Sequence, residues 1–275
     1  MLRRQIIVRC CVAWVAAATV LNLFDVASAR ADPVDVRLMS DAIIQETPVQ
    51  ERILKWREPI RIVVYHEEPS NYPNKPIAGL TEGRAVDIVG KLKEAIKREI
   101  FYRSQAFNSS LDYAVDLNAN TIDIYLIDRQ NFGTLEQAFV ATQSDRSNSI
   151  VPLLQYAISV GPRPDSSCIF TVVFDSESYI VKSVGVIDLG VNDAEILQCF
   201  SRILLFSLGF GDVLPKDIHY VTAQPNDIME PTSFDYDVMR LLYNDGLLPG
   251  IIKGDADRAA VEEAVAEYLH NESLE

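Results

Sequence analysis

From Glu195 to Asp212 the chain reads EILQCFSRILLFSLGFGD, apolar at Ile196, Leu197, Phe200, Ile203, Leu204 and Leu208 and closed by Gly209 and Gly211. Apolar residues at this spacing form a helix, and the glycines end it. A helix with so little polar surface is stable only when other elements cover it, so the rest of the chain must wrap it. PIRIVVYH, opened by Pro59, is a strand that runs into the turn-forming EEPSNYPNKP. From Thr81 to about Ile100, Val86, Ile88, Val89, Leu92 and Ile96 recur at helical intervals. TIDIYLID alternates Ile122, Ile124 and Leu126 with Asp123 and Tyr125, which predicts a strand with one buried face. CIFTVVFD and YIVKSVGVIDLG, parted by SESY, read as a hairpin that feeds the glycine-ended helix, with Asn192 or Asp193 as its N-cap. Between these runs lie a helix expected over 135–142, the polar loop QSDRSNS, and LLQYAISVG, an edge-strand candidate closed by GPRP. The expected fold is one mixed α/β (α+β) domain on a twisted mixed sheet, with the buried helix at its centre.

The ends are different in kind. Arg3, Arg4 and Arg9 precede the apolar run Cys10–Phe24, which is 15 residues long and shorter than the roughly 20 a spanning helix needs. Small residues follow in VASARA, a signal-peptide layout. Ala29 and Ala31 flank Arg30 in the small-x-small pattern, which puts the mature start at Asp32, with Ala27 and Ala29 as the alternative. The expected organisation is a signal peptide over 1–31, an N-terminal helical extension over 32–55, a main domain over 56–252 and a C-terminal helical tail over 253–275. In the extension, Leu38, Ile43, Ile44, Ile53 and Leu54 suggest two short helices divided by Pro48. In the tail, Glu263, Glu267 and His270 share one face, as on a solvated helix.

Charge narrows the partners. The chain carries 25 Lys and Arg against 39 Asp and Glu, a formal charge of -14, which repels nucleic-acid phosphates and anionic bilayers. Losing the arginine-rich leader makes the product more acidic and leaves nothing to hold it stably in a membrane. Cys10 and Cys11 leave with the leader, so Cys168 and Cys199 remain. In an oxidising compartment they form a disulfide closing a loop of about 30 residues, worth about 3 kcal/mol; the alternative is two buried thiols. No G-x-S-x-G elbow, G-x-G-x-x-G loop or Walker loop occurs, and no cofactor is expected.

The last turn of the buried helix follows the zinc-protease pattern H-E-x-x-H-x-x-G-x-x-H or D in outline, with Gly209 at the glycine and Asp212 at the third-ligand position. Downstream, NDIMEP resembles the methionine turn of metzincins through Met229, and SFDYDVMRLLY resembles the helix that closes such domains. This succession resembles a zincin-like, matrixin-like scaffold. Over Trp56–Ile252, the runs WREPIRIVVYH, CIFTVVFD, CFSRILLFSLGFGD and DYDVMRLLYNDGLLPGI resemble the bacterial secreted family catalogued as domain of unknown function 2927, with YNDGLLPGI the sharpest signature. The resemblance implies a secreted protein with a zincin-like domain and a link to metalloproteases.

The chemistry departs from that pattern. A catalytic zinc needs three protein ligands and a base for its water, and those positions hold Arg202, Ile203 and Phe206. A guanidinium repels a dication, isoleucine accepts no proton and phenylalanine has no lone pair to offer. The expectation is a degenerate, non-catalytic protein without bound metal that binds a peptide or protein partner. A metal-dependent hydrolase using Asp212 with His66 or His219 is the alternative, and a small-solute carrier is a third reading. Arg202, a charge on an apolar helix, is expected to pair with a carboxylate such as Asp212 or to face a cleft.

Overall fold

A computed structural model describes residues 33–46, 50–67, 82–107, 120–128, 131, 135, 168–211 and 230–272. In chain order these form α1 (Pro33–Ile43), β1 (Ile44–Glu46), β2 (Glu51–Ile53), β3 (Lys55–Trp56), β4 (Ile60–Glu67), α2 (Glu82–Ile96), β5 (Ile100–Phe107) and β6 (Thr121–Ile127). There follow β7 (Cys168–Phe174), β8 (Tyr179–Asp188), α3 (Asp193–Ser207), α4 (Ser233–Leu242), β9 (Gly250–Ile251) and α5 (Asp255–Glu272). The α/β class is the one expected.

The main sheet runs β5, β4, β6, β8 in parallel register, with β7 antiparallel at the far side of β8 and the short β3 beside the first residues of β8. β7 and β8 form the expected hairpin, turned through Asp175–Ser178, with Asp175 Oδ1 accepting from the backbone of Glu177 and Tyr179 at 2.9 Å each. β6 departs from expectation: all seven of its residues are buried. Its alternation suggested a half-exposed strand, but a strand with parallel neighbours on both sides is covered on both faces.

Register divides the sheet into two unlike faces. Ile62, Val64, Ile122, Ile124, Leu126 and Ile187 point into the main core that they share with α2, α3 and α4. Val63, Tyr65, Thr121, Asp123, Tyr125, Lys182, Val184 and Val186 occupy the opposite face and are also buried. Asn192 caps α3, its side chain accepting from Glu195 N at 3.0 Å. α4 opens with a capping box: Asp235 Oδ2 accepts from Thr232 N at 2.6 Å while Thr232 Oγ1 accepts from Asp235 N at 3.4 Å.

Both terminal segments belong to the same core. The region expected as two short helices is one helix followed by strands, because β1 and β2 pair antiparallel and β9 adds to β2 from the other end of the chain; tertiary pairing outweighs the local pattern. Ile43, Ile44, Leu54 and Trp56 are buried with α3 and α4. α5 keeps Glu263 and Glu267 exposed but buries Val261 and Val265 in that core. Arg258 on α5 clasps the N-terminal segment, donating to Asp41 Oδ1 at 2.6 Å and to Glu51 Oε1 at 2.8 Å.

The close approach at the end of α3 explains its glycines. Gly209 has φ +103°, and a Cβ there would overlap the Leu54 carbonyl oxygen. A Cβ at Gly211 would sit 2.5 Å from Ile44 O, and Gly211 N donates to Ala42 O at 2.5 Å. Gly209→Ala is therefore expected to cost about 3 kcal/mol in urea unfolding, whereas Gly83→Ala, in open space on α2, should be neutral or stabilising; an unchanged midpoint for Gly209→Ala would contradict this packing.

Candidate functional site

Four consecutive attachments bind α3 to the β7–β8 hairpin. Cys199 meets Cys168 as a disulfide with Cα atoms 5.8 Å apart. Ile203 lies over Gly185, where a Cβ would come within 2.6 Å of its Cγ2. Phe206 stacks on Phe170 of β7, centroids 4.7 Å apart and planes 10° from parallel. Ser207 and Ser183 share a hydrogen bond, 2.6 Å between their Oγ atoms.

Two of the residues that the zinc-protease pattern singled out lie in this interface. Ile203 and Phe206, at the base and second-ligand positions, are buried against the sheet, so the helix presents them to a packed interface. Arg202 is half-buried. Gly209 sits where Leu54 crosses the helix end. Asp212, His219 and Met229 lie outside the described residues, as do Ala31 and Asp32 of the expected cleavage site. His66 is the last residue but one of β4, beside Ala106 and Leu126. Among the described residues no group of three or more His, Cys, Asp or Glu side chains is placed to hold a metal ion.

Two polar features were not anticipated. On the second face of the sheet Lys182 Nζ donates to Asp123 Oδ2 at 2.5 Å and also to Thr121 Oγ1. Asp123 is 0% and Lys182 2% exposed. Tyr65 and Tyr125 stack nearby on that face, centroids 4.7 Å apart. The sequence signal was a charge in the interior of each of two mostly apolar strands, Asp123 in TIDIYLI and Lys182 in YIVKSVGVID. A buried pair of this kind needs both members, since either alone leaves a desolvated charge.

The second feature is a cavity of about 870 Å³ at the opposite end of the strands from His66, walled by the C-terminal end of α2, the turn after α4 and the face of α5. Beneath that turn lies Lys55, 6% exposed, whose Nζ donates to Asn244 O at 3.1 Å and to Leu247 O. Burial, with Arg98 adding to it and Asp245 opposing it, brings the Lys55 amine down from 10.5 to about 8. Beside it, Tyr243 accepts from Trp56 N at 3.3 Å and donates to Leu208 O at 2.9 Å. Burial raises its phenol above the ordinary value, outweighing the Trp56 bond and Arg98.

No family profile, curated protein or solved structure matches this chain.

Asp123→Ala should lose about 3 to 5 kcal/mol by stranding the Lys182 ammonium, and Asp123→Leu combined with Lys182→Met should recover most of it; a double variant as unstable as the single one would refute the pairing. Lys55 yields a pH effect. Its amine titrates lower in the fold than unfolded, so the unfolded chain holds the extra proton between pH 8 and 10.5. Stability should therefore rise with pH from about 8 by on the order of 2 kcal/mol relative to Lys55→Met. Above the ordinary phenol value of 10 it should fall again, as Tyr243 resists ionisation. Parallel pH profiles for wild type and Lys55→Met would contradict the assignment.

Proposed function

We propose that this chain is a secreted or periplasmic, non-catalytic protein of the zincin-like type that binds a peptide or protein partner. The observation that carries this reading is the placement of Ile203 and Phe206: the positions a zinc protease gives to its base and second ligand here pack on Gly185 and Phe170. The order of elements supports the scaffold: a mixed sheet with one antiparallel edge strand, then the glycine-ended helix, then a capped closing helix. The Cys168–Cys199 pair and the arginine-led apolar leader support export. Among the described residues the outer edge of β7 meets no strand, and such an edge offers backbone donors and acceptors to an extended segment.

Two measurements on the intact, oxidised chain test this. Plasma mass spectrometry after purification without chelator and with zinc supplied should give a metal-to-chain ratio near zero. Peptides selected from a display library should protect the 168–174 amides in hydrogen exchange. A ratio near one with peptide hydrolysis would return Asp212, His66 and His219 as ligand candidates and overturn the reading; peptides that protect only other regions would remove the β7 site.

A further inference from the structure

The 870 Å³ cavity falls in the size range of small-molecule sites, and its lining has an unusual charge arrangement. Lys97 and Arg98 come from the end of α2, Asp245 from the turn after α4 and Glu267 from α5. Glu99 and Arg240 also line this space and are paired, with Lys93 and Asp237. Among the described residues Lys97, Arg98, Asp245 and Glu267 form no ion pair, so two cations and two carboxylates of the lining are left unneutralised by each other.

Each charge is carried on a different support. Arg98 donates through Nη1 to Arg57 O at 2.9 Å and lies 5.8 Å from the centroid of the Tyr243 ring. Lys97 stands at φ +51°, a left-handed conformation that ends α2 and delivers its side chain to the rim. Asp245 rides on the turn whose carbonyls, Asn244 O and Leu247 O, are fastened from below by Lys55. The side chains of Asn244 and Asn271 add amide groups to the same wall.

Charges of both signs on the wall of one cavity suit a ligand that carries both. We propose that this cavity binds a short zwitterionic peptide of two or three residues, its carboxylate against Lys97 and Arg98 and its ammonium taken by Asp245 and Glu267. Charge-assisted hydrogen bonds at each end account for selectivity, because a ligand lacking one terminus leaves a pair of lining charges without a partner. The site is separate from the β7 edge and does not depend on the reading of α3.

The test is a chemical-shift titration of the isotopically labelled intact chain with a degenerate tripeptide pool bearing free termini, alongside the same pool N-acetylated and the same pool C-amidated. The free pool should shift the amides of Lys97, Arg98, Asn244, Glu267 and Asn271 saturably, and each blocked pool should bind about tenfold more weakly. Lys97→Gln and Glu267→Gln, both exposed and harmless to the fold, should each weaken binding about tenfold, while Glu263→Gln on the same helix should not. Absence of saturable shifts at millimolar pool, equal binding of blocked peptides, or indifference to Lys97→Gln and Glu267→Gln would overturn the proposal. Shifts confined to 168–174 would overturn it too, while leaving the β7 reading intact.

Discussion

The close approach of other backbone to the last turn of α3 is the constraint on which the rest depends. A helix end leaves carbonyls without intrahelical partners; here Leu205 O and Phe206 O accept from Phe210 N and Gly209 N of the turn that follows, at 3.0 Å each, and other segments supply donors to Ser207 and the residues beyond it. Ser207 O accepts from the Trp56 indole at 2.6 Å, Leu208 O from the Tyr243 phenol at 2.9 Å, and Phe210 O from the Gln45 amide at 2.9 Å. The N-terminal segment and the end of α4 thus meet on the same turn, and they reach it only because residues 209 and 211 carry no side chain. Tyr243 joins the two further by accepting from Trp56 N. The segment before Trp56 is therefore part of the domain's core, held a second time by the Arg258 clasp.

The sheet distributes burial in two chemically different ways. Toward the helices it is aliphatic and tolerates close contact, as at Gly185 under Ile203. Away from them it buries an ion pair and a tyrosine stack among valines. Burial of Lys182 and Asp123 is a weak contributor to stability because desolvation offsets their attraction, but it restricts how β6 and β8 can pair, since a shift of one residue would send each charge into the aliphatic core. α3 and the ion pair together lock β8 from both sides.

Much of this was legible in the chain. The spacing of Ile196, Phe200, Ile203 and Leu204 announced a covered helix, SESY the hairpin turn, and Asn192 or Asp193 the cap, of which the structure shows Asn192, because each depends on residues close in sequence. Cys168 and Cys199 required only the inference that one remaining pair would meet. Other parts were not legible. β2 pairs with β9, some 200 residues away, and no local pattern encodes such a partner. Lys55 carries no local mark of burial, yet the turn after α4 covers it. Lys97, Arg98, Asp245 and Glu267 come from three separate elements, so no motif joins them, and the zinc-protease pattern drew notice to Gly209 for a different reason from the one the packing supplies.

The α/β class, the central helix, the hairpin before it and the identity of Arg202, Ile203 and Phe206, none of them a zinc ligand, follow from periodicity and side-chain chemistry alone. Folding settles which face of α3 meets the sheet, that both ends of the chain complete one core, and that charged side chains from separate segments line one cavity. Those are consequences of which surfaces come together, and long-range contact is set by the summed burial and pairing of the whole chain rather than by any stretch of it.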